Sequence, residues 1–278
     1  MFERAKKSLG QNFLADERVV ERIVGEFAPR AWETVMEIGP GRGALTGALV
    51  ERAGRVVAVE FDSALAEHLR ARFGGRESFV LIEADALEVD FCEAIAPASS
   101  ARVVANLPYN VSTAILQRLI AQRLCVTEMV LMLQREVVER ITAPPSSSAR
   151  GYLSVLVEAY CESEPLLDVA PGSFRPVPKV WSTVVRLRVR ERAELAAIDE
   201  PLLWRVVGAG FAQRRKTIYN NLRGAPEELR ARVETVGGAG ALLEAAGVEP
   251  SRRAETLALD EWLRLAAALS PKSETRQS

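Results

Sequence analysis

The chain has 278 residues, a length that allows one doubly wound domain together with a smaller second domain. Hydrophobic residues make up 48% and charged residues 26% of the sequence, which is typical of a globular protein and excludes a disordered or fibrous one. The formal net charge of −1 argues against a uniformly basic nucleic-acid binder.

The N-terminal segment MFERAKKSLGQNF carries no apolar core followed by a small-residue cleavage site. A run of about 18 apolar residues, which a membrane span requires, occurs nowhere in the sequence. We therefore expect a cytoplasmic protein that does not cross a membrane.

Short β-rich runs alternate with amphipathic helical patterns in the first two thirds of the chain, which is typical of a parallel sheet covered on both faces. Asp16 is predicted to cap the helix ERVVERIVGEF, and further helices are predicted at ALTGALVERA, SALAEHLRARF and STAILQRLIAQR. Runs that are apolar on both faces are predicted to be the central parallel strands: TVMEIG from Thr34, RVVAVE from Arg55, FVLIEA from Phe79, RVVANL from Arg102 and EMVLML from Glu128.

After the fifth strand the pattern predicts a helix at QREVVERI, a flexible loop at APPSSSARG, and two antiparallel strands at YLSVLVEAYC and STVVRLRVR. These strands complete a seven-stranded mixed sheet. From about Glu191 onward helical patterns dominate, and the polar end PKSETRQS is expected to be frayed. We predict an α/β, Rossmann-like domain over residues 1–190 and a smaller α-helical domain over residues 191–278.

A glycine-rich turn joins the first predicted strand to the helix that follows it, and its glycines are Gly39, Gly41 and Gly43. Glycine lets a ligand approach the backbone, and the helix N-terminus offers free N–H groups to a carboxylate or phosphate. Such a turn alone would suit a nicotinamide cofactor nearly as well.

Three carboxylates lie at the ends of successive strands. Glu37 falls inside the first strand end, where a carboxylate with no polar partner is costly. Glu60 ends the second strand and is placed to accept hydrogen bonds from two ribose hydroxyls, and Asp85 follows the third, where it could accept from an adenine amino group. Their common edge points to a nucleoside-containing ligand.

The fourth strand ends in the tetrad Asn106-Leu107-Pro108-Tyr109, beside the position expected for the glycine turn. Pro108 fixes its own φ and keeps Leu107 extended, so the local carbonyls form a rigid acceptor edge. The Asn106 amide oxygen, a neighbouring carbonyl and the flat face of Tyr109 match an adenine ring with its amine. Two acceptors on the amine hydrogens would stabilise the positive charge that develops on methylation, without a strong general base.

The cysteines Cys92, Cys125 and Cys161 are widely spaced in apolar segments, which predicts buried, reduced thiols rather than disulfides or a metal site. The single histidine, His68, is predicted to be a surface helix residue. No metal site is therefore expected.

Two stretches of the sequence contain basic residues and no acid, Val169 to Arg190 and Pro201 to Pro226. They suit contacts to phosphates, although a solvated face with counter-charges elsewhere in space would produce the same pattern. The candidate contacts to RNA are Arg175, Lys179, Arg214, Arg215 and Lys216.

The segment from Glu37 to Gly43, with the acidic strand ends, resembles the donor-binding half of class I methyltransferases. The tetrad NLPY is similar to the motif of methyltransferases that act on planar amines. This resemblance implies S-adenosylmethionine as the cofactor, bound by Glu37, Gly39, Gly41, Gly43, Glu60 and Asp85.

Three further segments, KKSLGQNFL from Lys6, PGSFRPVPKVWS from Pro171 and FAQRRKTIYNNL from Phe211, resemble the bacterial small-subunit (16S) rRNA adenine N6,N6-dimethyltransferase family. Members of that family convert two adjacent adenosines near the 3′ end of small-subunit rRNA to N6,N6-dimethyladenosine and take part in small-subunit biogenesis. The resemblance implies that the partner is an immature small ribosomal subunit and that the protein is a monomer.

By the same resemblance, Gln11, Asn12, Leu14 and Asn106 would line the donor pocket, and Asn106, Leu107, Pro108 and Tyr109 would grip the target base. Phe174 would stack on the other side of that base, although its ring could instead anchor the loop on the core. Trp181 stands where the family often has an acid, which puts no catalytic residue in doubt.

Three alternatives remain open at this point. A large-subunit rRNA adenine dimethyltransferase of the antibiotic-resistance type would share the donor fold and the tetrad. A ribosome-assembly factor that acts mainly by binding would keep the fold but not need the intact tetrad. A DNA adenine methyltransferase is disfavoured because the sequence has no obvious module for reading DNA sequence.

Overall fold

The computed structural model describes residues 11–270, which form two compact units. The first unit contains residues up to Val138 together with Cys161–Arg190, and the second contains Glu139–Tyr160 and the residues from Glu191 onward. The sequence suggested one boundary near residue 190. The structure instead assigns the segment Glu139–Tyr160 to the second unit. The segment Lys6–Gly10 and the polar end PKSETRQS lie outside the described residues.

The strands all belong to the first unit, and six of the seven in its main sheet correspond to predicted runs. Their bounds are β1 Phe13–Leu14, β2 Thr34–Ile38, β3 Arg55–Glu60, β4 Phe79–Glu83, β5 Ala101–Asn106, β6 Val126–Gln134, β7 Cys161–Val169, β8 Phe174–Arg175 and β9 Ser182–Val189. The helices of the first unit and its boundary are α1 Glu17–Phe27, α2 Ala44–Arg52, α3 Ser63–Phe73, α4 Phe91–Ala94, α5 Ser112–Ala121 and α6 Arg135–Ile141.

The main sheet has seven strands in the order β4-β3-β2-β5-β6-β9-β7, and the first five of these are parallel. Strand β9 runs antiparallel to both of its neighbours. Strands β3 and β4 lie on one side of β2, and β5 and β6 lie on the other side. The direction in which the chain adds strands to the sheet therefore reverses between β2 and β5. Ligands of open α/β sheets bind at such a switch point. The predicted α/β fold with a seven-stranded mixed sheet is confirmed.

A separate two-stranded sheet fixes the start of the described chain. Phe13 pairs with Arg175, and Leu14 pairs with Phe174, in antiparallel register. Helix α1 follows at once, and its predicted cap is present, because the Asp16 carboxylate accepts a hydrogen bond of 3.0 Å from the N–H of Arg18. This arrangement holds residues 11 and 12 beside the switch point of the main sheet.

The second unit is built from helices alone within the described residues, as its sequence pattern predicts. Trp262 is fully buried, and a Cβ added to Gly210 would lie 2.4 Å from its ring, so a glycine is required where α9 and α13 pack together. The helices are α7 Tyr152–Tyr160, α8 Ala193–Ala196, α9 Glu200–Gly210, α10 Ile218–Arg223, α11 Glu227–Thr235, α12 Gly238–Ala245 and α13 Leu259–Leu269.

The prediction of a strand at YLSVLVEAYC is wrong, because Tyr152–Tyr160 is helix α7. Nearly every residue of α7 is buried, so the run is apolar on all sides and carries no helical period. The seventh strand is β7, whose sequence CESEPLLDV is polar and contains Pro165. This strand lies at the edge of the sheet, where proline and exposed charge are tolerated.

The expectation that all cysteines are reduced is also wrong. Cys92 on α4 and Cys125 just before β6 form a disulfide, with their Cα atoms 5.5 Å apart. The two residues are 33 positions apart in sequence, and the packing of α4 against the end of α5 brings them together, since the N–H of Phe91 donates to the side-chain carbonyl of Gln122. Cys161 is a free, buried thiol, as predicted, and burial raises its pKa to about 12.

Candidate active site

A cavity of about 210 Å³ opens at the carboxyl edge of the main sheet, at its switch point. The glycine turn after β2, the ends of β3 and β5, and the turn after β4 all contribute to its wall. Of the predicted site residues, this larger cavity is lined by Gln11, Asn12, Gly39, Gly41, Glu60, Asp85, Asn106, Leu107, Pro108 and Tyr109. Parts of the sequence far apart in the chain therefore meet at one site.

Gly41 lies in the wall of the larger cavity and adopts a left-handed conformation with φ of 58°. A Cβ at this position would also lie 3.1 Å from the ring of Phe13. Gly43, with φ of 78°, has a different role, because a Cβ there would lie 2.8 Å from the Phe73 ring of α3. Gly43 lines neither this cavity nor the smaller one described below, and it allows close packing of the turn on a helix.

Glu60 connects two turns at the edge of the sheet. One carboxylate oxygen accepts a hydrogen bond of 2.9 Å from the N–H of Gly41, and the other accepts one of 2.9 Å from the N–H of Asp62. Burial raises the pKa of Glu60, and these two donors partly oppose that shift. The two oxygens together offer more acceptor positions than the backbone donors occupy, so the carboxylate is able to accept from a ligand while it holds the glycine turn.

Asp85 lies on the far side of the larger cavity, after β4. Its Oδ1 atom accepts a hydrogen bond of 2.9 Å from the N–H of Leu87, which orients the carboxylate. Phe61, next to Glu60, also lines the cavity and is 58% exposed. Sequence reasoning did not single out Phe61, although an aromatic residue directly after a strand-end carboxylate was a usable signal.

The amide of Asn106 is oriented by the segment that precedes β1. Its Nδ2 atom donates a hydrogen bond of 3.1 Å to the carbonyl of Asn12. With the nitrogen committed to that carbonyl, Oδ1 is the atom left to accept from a ligand. The two-stranded sheet of β1 and β8 thus fixes the direction of the acceptor in the tetrad.

The backbone carbonyls of the residues after Asn106 differ in whether they already accept a hydrogen bond. The carbonyl of Pro108 accepts from the N–H of Val111, and that of Tyr109 accepts from the hydroxyl of Ser112. The carbonyl of Leu107 accepts no hydrogen bond from residues 11–270, although the side chain of Leu107 is buried. Of these three carbonyls, that of Leu107 is the one left able to accept from a ligand.

The ring of Tyr109 is held from β9. Its hydroxyl and that of Ser182, the first residue of β9, lie 2.7 Å apart. Ser182 is fully buried, and partial burial raises the pKa of Tyr109, so the phenol stays neutral in the physiological range. The sequence offered no signal for this contact, because Ser182 lies 73 positions from Tyr109.

Glu37 lies behind the glycine turn, in the wall of a smaller cavity of about 30 Å³ that Leu14, Gly39 and Asn106 also line. Its Oε2 atom accepts a hydrogen bond of 2.7 Å from the Thr46 hydroxyl, which supplies the polar partner that its position requires. Burial raises the pKa of Glu37 to about 8. The carboxyl is therefore largely protonated at neutral pH.

We expect Glu37→Gln to stabilise the protein in alkaline solution. The folded-state pKa of about 8 lies above the unfolded value of 4.5, so the wild type loses stability as pH rises from about 4.5 to 8 and then levels off. Glutamine is neutral throughout and still accepts from Thr46. Urea unfolding at pH 5 and pH 9 should show a gain for the variant that grows with pH, and a difference independent of pH would contradict the assignment.

Phe174 does not fit its expected position. The structure buries its ring completely in the hydrophobic core of the first unit, together with Leu14. A ring in that environment anchors β8 and is not available to stack on a base. Stacking by Phe174 is therefore not part of the function proposed below.

The basic candidates are all exposed, but they differ in their partners. Arg175 donates to the carbonyls of Gly172 and Phe174 in its own loop, and Arg214 donates to the carbonyl of Ser148 within the second unit. Arg215 and Lys216 lie in the loop between α9 and α10, and neither forms an ion pair with residues 11–270. Lys179 is exposed in the loop between β8 and β9.

A doubly wound sheet with a glycine turn, strand-end carboxylates and a proline-stiffened acceptor edge at one switch point defines a class I methyltransferase. The model of the ribosomal RNA adenine dimethylase family matches residues 2–265. The chain belongs to this family.

Relatives agree with this assignment, and solved structures share the fold. Proteins named ribosomal RNA small subunit methyltransferase A from Hahella chejuensis and Xanthomonas campestris are 42% and 44% identical, covering 95% and 94% of this chain and 92% and 95% of their own. A dimethyladenosine transferase from Plasmodium falciparum shares the fold at 24% identity and a TM-score of 0.77, covering 91% of this chain and 95% of its own. The 23S rRNA methyltransferase ErmE is 28% identical with a TM-score of 0.65, covering 93% of this chain and 99% of its own.

No helix within residues 11–270 has the length and apolar character of a membrane span.

Proposed function

We propose that this enzyme transfers methyl groups from S-adenosylmethionine to the N6 amines of two adjacent adenosines near the 3′ end of small-subunit rRNA, giving N6,N6-dimethyladenosine. The observations that support the proposal are the Asn106 amide, whose nitrogen is engaged by Asn12, and the Leu107 carbonyl, which accepts no hydrogen bond from residues 11–270, in the wall of the cavity that the glycine turn helps to form. The names of the relatives support rRNA of the small subunit as the acceptor.

The residues around the larger cavity fit S-adenosylmethionine. Gly41 brings backbone without a side chain to the cavity wall, Glu60 offers acceptors suited to a ribose, and Asp85 offers one suited to an adenine amino group. Gln11, Asn12, Gly39 and Asn106 complete the wall, while Glu37, Gly43 and Leu14 support it from behind. When bound, the cofactor supplies an electrophilic methyl group on a sulfonium.

The tetrad is suited to an exocyclic amine. Its nitrogen lone pair is delocalised into the adenine ring, so the amine is a poor nucleophile until its geometry changes. Two acceptors that bind the two amine hydrogens favour a pyramidal nitrogen and stabilise its developing positive charge. Tyr109, fixed by Ser182, offers a flat surface to the base, while Pro108 keeps the backbone rigid.

An adenosine inside an RNA helix cannot reach these acceptors, so the target base must be unstacked. We infer that the protein acts in the cytoplasm as a monomer, on an immature small subunit whose 3′ end is still accessible, and that it takes part in small-subunit biogenesis. The large-subunit alternative is disfavoured, because relatives at 42% and 44% identity are named for the small subunit, while ErmE is 28% identical.

The direct test is to incubate the protein with labelled S-adenosylmethionine and immature small subunits, to digest the RNA, and to identify the nucleosides. We expect labelled N6,N6-dimethyladenosine. Naked large-subunit rRNA is the comparison substrate. Label in that RNA but not in small subunits would overturn the proposal.

The basic loop of the second unit is proposed to contact phosphates. Neutralising Arg214, Arg215 and Lys216 together should reduce the slope of log affinity against log salt by about 2 to 3, since each phosphate contact contributes roughly 0.7 to 0.9. The slope is measured by titrating RNA binding at several salt concentrations.

A matched control replaces three arginines of the same unit that already form ion pairs. Arg205 pairs with Glu228, Arg232 with Asp199 and Arg264 with Asp260. Neutralising these three changes the net charge equally but should leave the slope nearly unchanged. Equal slopes for the two triple variants would assign the effect to overall charge rather than to the loop.

A further inference from the structure

The loop between β8 and β9 exposes apolar side chains next to basic ones. Val177 is 57%, Val180 40% and Trp181 45% exposed. Lys179 lies among them, and Arg135 lies against Trp181. Apolar side chains exposed together beside basic ones are a common feature of a binding surface.

The Trp181 side chain is held in place by Arg135, the first residue after β6. The guanidinium carbon of Arg135 lies 4.8 Å from the centre of the indole ring, and its backbone N–H donates a hydrogen bond of 3.0 Å to the carbonyl of Trp181. The guanidinium is itself fixed by an ion pair of 2.6 Å with Asp168 on β7. One indole face is therefore covered by a cation, while nearly half of the residue stays exposed to solvent.

Trp181 and Arg135 lie at the same carboxyl edge of the main sheet as the tetrad, because Trp181 precedes the antiparallel strand β9 and Arg135 follows β6, the neighbour of β5. Trp181 directly precedes Ser182, the fully buried residue whose hydroxyl contacts that of Tyr109 at 2.7 Å. The same short segment therefore holds the tyrosine ring through Ser182 and exposes the indole of Trp181 to solvent.

We propose that Trp181 and Arg135 form a second base-stacking subsite, which binds a nucleotide next to the adenosine held at Tyr109. The proposal rests on the function proposed above. A nucleobase is the occupant that fits, because it stacks on a flat apolar ring such as the indole of Trp181. The phosphates on either side of the base need cations, and Lys179 and Arg135 supply them. With two adjacent target adenosines, one base occupies this subsite while the other is methylated.

The test compares Trp181→Ala with Trp32→Ala. Trp32 is 80% exposed, also lies near an arginine, and precedes β2 at the opposite edge of the sheet. The probe is a fluorescent single-stranded oligoadenosine RNA. We expect Trp181→Ala to weaken its binding about 5- to 100-fold, the range for loss of one base stack, with Trp32→Ala near wild type and Trp181→Phe in between.

In the methylation assay on small subunits, Trp181→Ala should raise KM and leave kcat nearly unchanged, because the indole does not touch the reacting atoms. Equal RNA affinities of the two alanine variants would overturn the subsite, and dimethyladenosine formed by the wild type would still support the proposed function. If Trp181→Ala bound the oligoadenosine as tightly as the wild type but had a raised KM on assembled subunits, Trp181 would instead contact a ribosomal protein. That result would also overturn the subsite. Thermal unfolding of all three variants verifies that each is folded.

Discussion

Asn106→Ala is expected to lower the rate of methyl transfer by about 100- to 1,000-fold, the loss typical of removing one preorganised group that stabilises charge in the transition state. The substitution removes the Oδ1 acceptor and also the hydrogen bond from Nδ2 to the carbonyl of Asn12. Affinity for RNA should change little, because the amine contact contributes little to a binding energy dominated by phosphates. The rate is measured as label transferred at saturating donor and RNA.

A second variant separates the acceptor from its support. Asn106→Asp keeps an acceptor oxygen but replaces the donor to Asn12 with another oxygen, so its activity should lie between those of the wild type and Asn106→Ala. If Asn106→Ala methylated at a rate close to that of the wild type, the Leu107 carbonyl alone would be sufficient and the two-acceptor account would be wrong.

Glu60→Ala is expected to raise the dissociation constant for S-adenosylmethionine by about 10- to 150-fold, which corresponds to roughly 1.5–3 kcal/mol for hydrogen bonds to a charged group. The variant loses the acceptors for a ribose and frees the N–H groups of Gly41 and Asp62, so the glycine turn also loosens. Calorimetric titration of the donor measures this constant. The rate at saturating donor should fall much less, because Glu60 lies outside the acceptor tetrad.

Glu83→Ala provides the matched control for Glu60. Glu83 ends β4 and is the register partner of Glu60 in the neighbouring strand, but it does not line the larger cavity. Its carboxylate forms an exposed ion pair with Arg70. Donor affinity should therefore remain close to that of the wild type. A comparable loss in both variants would indicate general damage to the sheet edge rather than removal of a ligand contact.

The central strands and the glycine turn were predictable from the sequence because both faces of a parallel sheet are covered. The runs TVMEIG and RVVAVE are apolar without interruption, and the structure places β2 and β3 there. The same reasoning failed at YLSVLVEAYC, since a fully buried helix has the same uninterrupted apolar pattern. Strand β7 was missed because an edge strand with Pro165 has neither pattern.

The candidate site was predictable where its residues fall at strand ends, because parallel strands bring those ends to one edge. Gly41, Glu60, Asp85 and Asn106 lie around one cavity for this reason. Contacts between distant parts of the chain were not predictable. The pairing of Tyr109 with Ser182 and the burial of Phe174 depend on how β8 and β9 pack, which no local pattern in the sequence records.

The disulfide between Cys92 and Cys125 closes the chain into a ring that contains all of β5 and the tetrad. A single backbone cleavage within this ring leaves the two resulting fragments joined by the disulfide. A protease that cleaves at the exposed Asn110 would therefore produce two fragments that migrate as one species until a reductant is added. The stretch that carries the tetrad is therefore covalently linked to the rest of the protein at both of its ends.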